Sequence, residues 1–313
     1  MSHNYQFTFM THILLSSIAP LEIHRYFEKT LLRNLDMYAA VDFGLSNTDV
    51  VVWEKHATEY RTIRFNTPAT PENLKEILTE FYPGLKKIEL IGVTGGRHKD
   101  LPDQLEGIPI YKVNEVEAIG RGGQQFSSSE EKSILVVSAG SGTSMVSARG
   151  AEYQHVGGTA VGGGTLLGLS RLLLNTVDPD EIDYLASLGD RHVADLRISD
   201  VISGPIGSLT SDATAVNFGR LAREDIPVDR HNLAASLVTM VGQTIALMAI
   251  NIARAHKLKE IVIIGHLSDM ETMRKAISAV GELYNTPIQL PYSTGHAIAF
   301  GALNIAENRH GKQ

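Results

Sequence analysis

Three stretches of this chain set glycines and hydroxyl residues directly behind apolar runs, and all three are suited to holding an anion. The first follows MYAAVD and reads Phe43-Gly44-Leu45-Ser46-Asn47-Thr48. The second follows ILVV and reads Ser138-Ala139-Gly140-Ser141-Gly142-Thr143-Ser144. The third, GGTAVGGGTLLGLSRLLL from Gly157 to Leu174, places five glycines in eight residues (Gly157, Gly158, Gly162, Gly163 and Gly164) ahead of Thr165 and a helical apolar pattern. Backbone amides in such turns, and at a helix start, point at whatever lies before them and favour a phosphate or carboxylate. Asp42, at the end of its strand, is placed to hold Mg²⁺ directly or through water. Each stretch alone has a plainer reading, a β-hairpin with a polar tip or a tight turn. Two similar hairpins in one chain suggest duplicated lobes that clamp a phosphate chain between their turns.

Composition narrows the partners. A chain of 313 residues with 43% hydrophobic content can bury two ordinary cores. Its net charge of -7 and the absence of a Lys/Arg cluster argue against a nucleic-acid groove and for a small-molecule partner. No cysteine occurs, which excludes disulfides, thiolate metal sites and a cysteine nucleophile, and agrees with a cytoplasmic home. No apolar run reaches membrane-spanning length, so no membrane partner is expected.

The elements that would position these turns are legible in outline. MYAAVD and DVVVWE flank the first turn as strands, Pro71 to Tyr82 has helical periodicity, and Ile88 to Val93 is a buried strand running into Thr94-Gly95-Gly96. IPIYKV is a short strand, and NEVEAIGRGGQQF starts a helix capped by Asn114, with Glu115 and Glu117 in its first turn. After the glycine cluster, DPDEIDYLASL is a helix stopping at Gly189, and Ser199 to Gly219 reads as loop and then helix from about Ser211. Asn232 to Ala255 carries an apolar stripe of core or dimer-seam type, including Met240, Ile245 and Met248. EIVIIG ends a strand at Gly265, and the small residues of Gly295 to Leu303 allow close approach of a helix or a purine ring. Residues 1–36 read as an N-terminal extension without the basic start of a signal peptide; 37–135 and 136–313 read as two lobes, the second carrying the long helix.

In order and spacing, strand–DxGxx–strand, TGG, SAGSGTS, VGGTAVGGGTLLGLSRLL, NFG, VIIG and a terminal GxxxAxGAL resemble the type II pantothenate kinases, the fumble-like family of the actin, hexokinase and Hsp70 superfamily. The resemblance implies a duplicated ribonuclease-H-like α/β fold with ATP and Mg²⁺ in the cleft. It also implies a homodimer built on the long helix, and phosphorylation of pantothenate, or a related alcohol such as pantetheine, on the route to coenzyme A. Carried over residue by residue, it gives Asp42, Gly44 and Ser46 the first phosphate turn and Gly140, Gly142, Thr143 and Ser144 the second. Gly162, Gly163, Gly164 and Thr165 fall near the β- and γ-phosphates, and Gly265 beside the adenosine.

The departures are local. The family's first turn normally reads DxGGT with a lysine a few residues on; this chain has DFGLSNTDVV and no lysine there. His155 stands where the family carries an arginine ahead of VGG, and imidazole lacks the bidentate fork. The general base is expected at Glu115, whose helix start would face the cleft, with Asp100 as the next choice and Asp103 or Glu106 behind it. These departures motivate a second reading, a catalytically impaired nucleotide-binding regulatory homologue.

Overall fold

The computed structural model describes residues 37–55, 57, 59–81, 88–128, 133–203 and 210–312. The proposed extension at 1–36 lies outside these residues.

In the first lobe, β1 (Met37–Phe43), β2 (Thr48–Glu54) and β3 (Tyr60–Phe65) form an antiparallel meander, followed by α1 (Pro71–Phe81) and β4 (Ile88–Gly95). The short β5 (Gln104–Leu105) and β6 (Ile108–Lys112) complete a sheet of order β3-β2-β1-β4-β6-β5. After α2 (Glu115–Phe126) the plan repeats: β7 (Ser133–Ala139), β8 (Thr143–Arg149) and β9 (Glu152–Thr159) are a second antiparallel meander. Next come α3 (Gly163–Leu174), α4 (Pro179–Leu188), the small pair β10 (Leu196–Arg197) and β11 (Thr214–Val216) with α5 (Ile198–Val201) between them, and α6 (Arg230–Ala255). Then β12 (Glu260–Ile264), α7 (Glu271–Leu283), β13 (Ile288–Gln289) and α8 (Ala297–His310) follow. The second sheet runs β13-β12-β7-β8-β9, with β12 parallel to β7 as β4 is parallel to β1. Two sheets with the same meander and the same parallel return are the duplicated ribonuclease-H-like arrangement expected from the paired hairpins.

Strand alternation explains the layers. Ala39, Val41 and Phe43 pack on Leu74, Ile77 and Leu78 of α1, whereas Tyr38 and Ala40 point the other way, under Ala299, Ala302 and Leu303 of α8. In the second sheet Leu135 and Val137 face α6 through Leu237, Val241 and Ile245, while Ile134 and Val136 face Ile119 of α2. Helices α2 and α8 therefore form the layer between the sheets. They cross closely because Gly301 leaves room: a side chain there would lie 2.0 Å from Ala118 O. The division expected at 135/136 falls inside β7, and α8 returns to pack on the first sheet.

Three expectations need correction. No helix starts at Ser211: Thr214–Val216 pairs with β10, and Asp212 instead ion-pairs with Arg197 at 3.5 Å. The β-branched Thr214 and Val216 suit that ladder better than a helix. Nor is the five-glycine cluster one loop, since Gly157 and Gly158 lie in β9 and the helix begins at Gly163. Gly157 packs under Ile252 of α6, whose Cδ1 would lie 2.4 Å from a Cβ there. Finally, an apolar run of membrane-spanning length does occur: α6 is long and apolar enough to cross a membrane, although 67% of its most apolar stretch is buried inside the protein. Ile245 is core, at 0% exposure.

Candidate active site

Asp42 ends β1 on the sheet face turned toward the second lobe. Across the ladder, Asp49 of β2 stands opposite Asp42, and Arg64 of β3 stands opposite Asp49. Paired residues share a face, so Asp42, Asp49 and Arg64 form a row of side chains. Thr94 pairs with Asp42 on the other side, and its hydroxyl is buried without a hydrogen-bond partner. Burial, followed by the neighbouring charges of Asp49 and Glu115, pushes the Asp42 carboxyl up to about 8, against a lowering by His266. The backbone next to it is tight: Gly95 has φ +84°, and a side chain there would lie 2.6 Å from Asp42 Oδ1.

The two turns meet across the cleft, with Ser46 Oγ 2.6 Å from Ser141 Oγ. The second turn is braced by the start of α3, where Gly163 N donates to Gly140 O and Gly164 N to Ser141 O, both at 2.8 Å. That differs from the expected cradle. These two amides hold the turn rather than facing a guest, while the glycines line the cavity and the helix dipole still points toward it. Gly162 must be small, because a Cβ would lie 2.8 Å from Gly142 Cα. Thr165 Oγ1 donates to Ala160 O (3.0 Å) and Thr143 Oγ1 to Val161 O (2.8 Å), so both hydroxyls also brace the loop. Ser144 pairs with Gly158 inside the sheet.

A cavity of about 380 Å³ is lined by Ser46, Asn47, Gly140, Ser141, Gly163 and Gly164 together with apolar Leu166, Leu167, Val177, Pro179, Leu267 and Met270. Such a mixed lining beside two glycine turns suits a phosphate chain attached to a flat ring. Gly265 adopts φ +111° and accepts no side chain, since a Cβ would lie 2.5 Å from Ala139 O; this sharp turn delivers His266 and Leu267 into the cleft.

His266 was not among the expected site residues, nor were Asp49, Arg64 and His296. His266 Nε2 lies 3.0 Å from both oxygens of Asp49, which is buried, and its Nδ1 contacts Arg64 Nη2. Arg64 Nε is 3.4 Å from Asp49 Oδ1, and His296 Nε2 is 3.6 Å from the same oxygen. The first lobe thus supplies a carboxylate and a guanidinium, the second two imidazoles. Burial opposes charge on His266, but Asp269 and Asp49 outweigh it and raise the pKa; at His296 burial prevails and lowers it. The Arg64 contact requires His266 Nδ1 to accept, so Arg64 and a second proton compete for one atom. The ring rests on Gly295, where any side chain would overlap it. Gly295 thus seats a histidine, and Gly301 a helix, in the segment where a purine was the other option.

Of the two expected bases, Glu115 lies at the start of α2, where Asn114 Oδ1 accepts from Val116 N at 2.9 Å, and its charge is felt by Asp42. Asp100 is bound to Arg97 at 3.0 Å and belongs to no described contact with the cleft. His155 is exposed on β9, opposite Val146, on the sheet face that packs against α2.

The sequence model of the Fumble family matches residues 110–289, more than half of the chain. The chain belongs to the Fumble family. The type II pantothenate kinase of Bacillus cereus strain G9842 is 32% identical over 222 residues, covering 69% of this chain and 81% of that protein. The corresponding kinase of Bacillus anthracis is 31% identical over 228 residues, covering 71% and 82%. Solved structures share the fold at low identity. Component A of (R)-2-hydroxyglutaryl-CoA dehydratase from Acidaminococcus fermentans has a TM-score of 0.60 at 14% identity, covering 88% of this chain and 99% of its own. A ROK family glucokinase from Streptomyces griseus, in complex with glucose and AMPPNP, has a TM-score of 0.57 at 16% identity, covering 88% and 100%. The fold of this Fumble member is therefore the two-lobed one of sugar kinases and related ATPases. The matched span does not include Asp42 to Asp49.

Proposed function

We propose that this Fumble family member transfers the γ-phosphoryl group of ATP to the primary hydroxyl of pantothenate, the step that commits pantothenate to coenzyme A. The observation that carries the reading is the meeting of two glycine-hydroxyl turns beside an acidic pair, Asp42 and Glu115, in a chain about one-third identical to type II pantothenate kinases. Phosphoryl transfer is mainly positioning and charge neutralisation, which a closing two-lobed cleft supplies. Glu115 accepts the hydroxyl proton as that oxygen bonds to the γ-phosphorus, the bond to the β-bridging oxygen breaks, and ADP leaves. Ser46 and Ser141 orient phosphate oxygens from opposite lobes. The apolar wall from Leu166 to Met270 holds the adenosine.

The residues fit a magnesium ion. A buried carboxylate raised by two acidic neighbours, beside the unpartnered hydroxyl of Thr94, lacks positive charge, although no cluster of three or more metal-binding side chains occurs among the described residues. Asp42 would hold the ion, with water and phosphate oxygens completing its shell, and the ion would neutralise phosphate charge. A cytoplasmic homodimer is part of the same reading. It is supported by the lack of cysteine and by a half-buried strip on α6 at Met240, Leu247 and Met248.

The test is direct. Purified protein with Mg·ATP is incubated with pantothenate, pantetheine and a panel of similar alcohols, and ADP and the phosphorylated product are followed by coupled assay and mass spectrometry. Formation of 4′-phosphopantothenate is expected; transfer to none of these alcohols sinks the reading.

A further inference from the structure

A kinase needs positive charge against the phosphates, yet the first turn carries no lysine. Among the described residues lining the cavity between the turns, Arg64 is the one arginine or lysine. Its position comes from register. Arg64 stands opposite Asp49 on the β2–β3 ladder, and Asp49 stands opposite Asp42, so the three side chains form one row across β1, β2 and β3. The side chain is 45% exposed, comes from the edge strand of its sheet, and also lines the adjoining cavity of about 550 Å³ formed with Tyr60, Phe126, Tyr292 and Phe300. It thus lies on the wall between the two cavities, with open space on both sides.

We propose that Arg64 is the cation that binds the nucleotide's phosphates, exchanging Asp49 and His266 for phosphate oxygens when ATP enters the cleft. This rests on the kinase reading and names a residue for it. The exchange is chemically even-handed. A guanidinium binds carboxylate and phosphate through the same forked donors. Asp49, which is buried, is not abandoned, because His266 Nε2 remains 3.0 Å from it and His296 lies at 3.6 Å. That matters because stripping a buried carboxylate of every partner is the costly event. Departure of Arg64 also removes the donor facing His266 Nδ1, so the imidazole becomes free to carry a proton there, toward Asp269 at 3.8 Å. Asp49 therefore acts as a competitor for Arg64 as well as its anchor, and the two residues should have opposite effects on nucleotide affinity.

That opposition defines the experiment. ATP and adenosine affinities are measured by calorimetry on the full chain for the parent, Arg64→Gln, Arg64→Lys, Asp49→Asn and the double variant Arg64→Gln/Asp49→Lys. Loss of charge-assisted hydrogen bonds should weaken ATP about tenfold to a hundredfold in Arg64→Gln, with adenosine unchanged within about twofold. Arg64→Lys should fall between, Asp49→Asn should tighten ATP, and the double variant should recover much of the loss by moving the cation to the neighbouring strand. ATP affinity in Arg64→Gln within about twofold of the parent overturns the proposal, as does an equal loss of ATP and adenosine, which marks a structural role. A variant that fails to fold is replaced by Arg64→Lys, where retained ATP affinity with no response to Asp49→Asn is equally decisive against it. If the parent binds ATP through Arg64 but phosphorylates no pantothenate, the substrate reading fails and the proposal stands. If it phosphorylates pantothenate and Arg64→Gln leaves ATP affinity intact, the reverse holds; a parent that binds no ATP sinks both.

Discussion

Replacing Asp42 by asparagine should make the ligand-free protein more stable while removing the carboxylate proposed to hold magnesium. The carboxyl is 7% exposed, and burial beside Asp49 and Glu115 raises its pKa from 3.8 to about 8. At pH 7 the unfolded chain holds this group ionised and the folded chain holds it protonated, so the folded state binds the extra proton and loses stability as pH rises. The loss begins above the unfolded pKa and is complete once pH passes the folded one. At about 1.4 kcal/mol per pH unit, the cost of keeping Asp42 in place is about 4 kcal/mol at pH 7 and about 1.6 kcal/mol at pH 5. An asparagine of the same shape has no such cost. Asp42→Asn is therefore expected to raise stability by up to about 4 kcal/mol at pH 7, with the advantage shrinking by more than half at pH 5. Urea unfolding of parent and variant across this pH range, without nucleotide or metal, measures the difference. If the variant is no more stable at pH 7, or its advantage does not shrink on acidification, Asp42 is ionised in the folded protein and the burial reasoning fails.

Mg·ATP binding should draw the proton off Asp42, so calorimetry at pH 7 in buffers of different ionisation heat should show release approaching one proton per site; uptake would contradict the assigned metal ligand. Glu115→Gln should lower kcat by about a hundredfold to ten-thousandfold with ATP affinity kept, while Asp100→Asn stays near the parent in steady-state assays. Gly295→Ala should displace the His266 ring and cost about 1–3 kcal/mol by overpacking, measured by urea unfolding together with a change in His266 titration by NMR. Ile245→Lys should unfold the second lobe, because Ile245 is fully buried; a folded monomer by light scattering and circular dichroism would instead restore this position to a dimer seam.

The elements whose cause is local were legible. Short apolar runs set β1, β2, β7 and β8; Asn114 capped α2; and Gly-rich turns after strands marked the cleft. Where tertiary contact decides, sequence alone misled. Gly157 looks like loop material but lies in β9 under Ile252 of α6, and Thr214–Val216 lies extended because β10 is there to pair with it. The amides of Gly163 and Gly164 looked available for an anion; only the folded second turn reveals that they are already spent on it. His266 could have been found, since it directly follows Gly265 at a strand end. Its partner Asp49 looked like an ordinary β2 residue, and Arg64 like an edge-strand charge, because pairing register is not written in either strand alone.

Register also accounts for how the family's pattern can change without emptying the site. In a sheet, the spatial neighbour of a residue is the one opposite it on the next strand, at about 5 Å, nearer than its own i+2 neighbour on the same face. A charge required at the end of β1 can therefore be carried by β2 or, one strand further, by a longer side chain on β3. Here β2 presents Asp49 and β3 presents Arg64. Counted along the chain, the first turn carries no cation; counted across the ladder, Arg64 stands on the strand next to β2, held by an acid that the second lobe reaches through His266. The same histidine joins the charge row to the second lobe, since it follows β12 and hydrogen-bonds to Asp49 of β2. Charged side chains are thus spread over three strands, and the Ser46–Ser141 contact joins the two turns across the cleft.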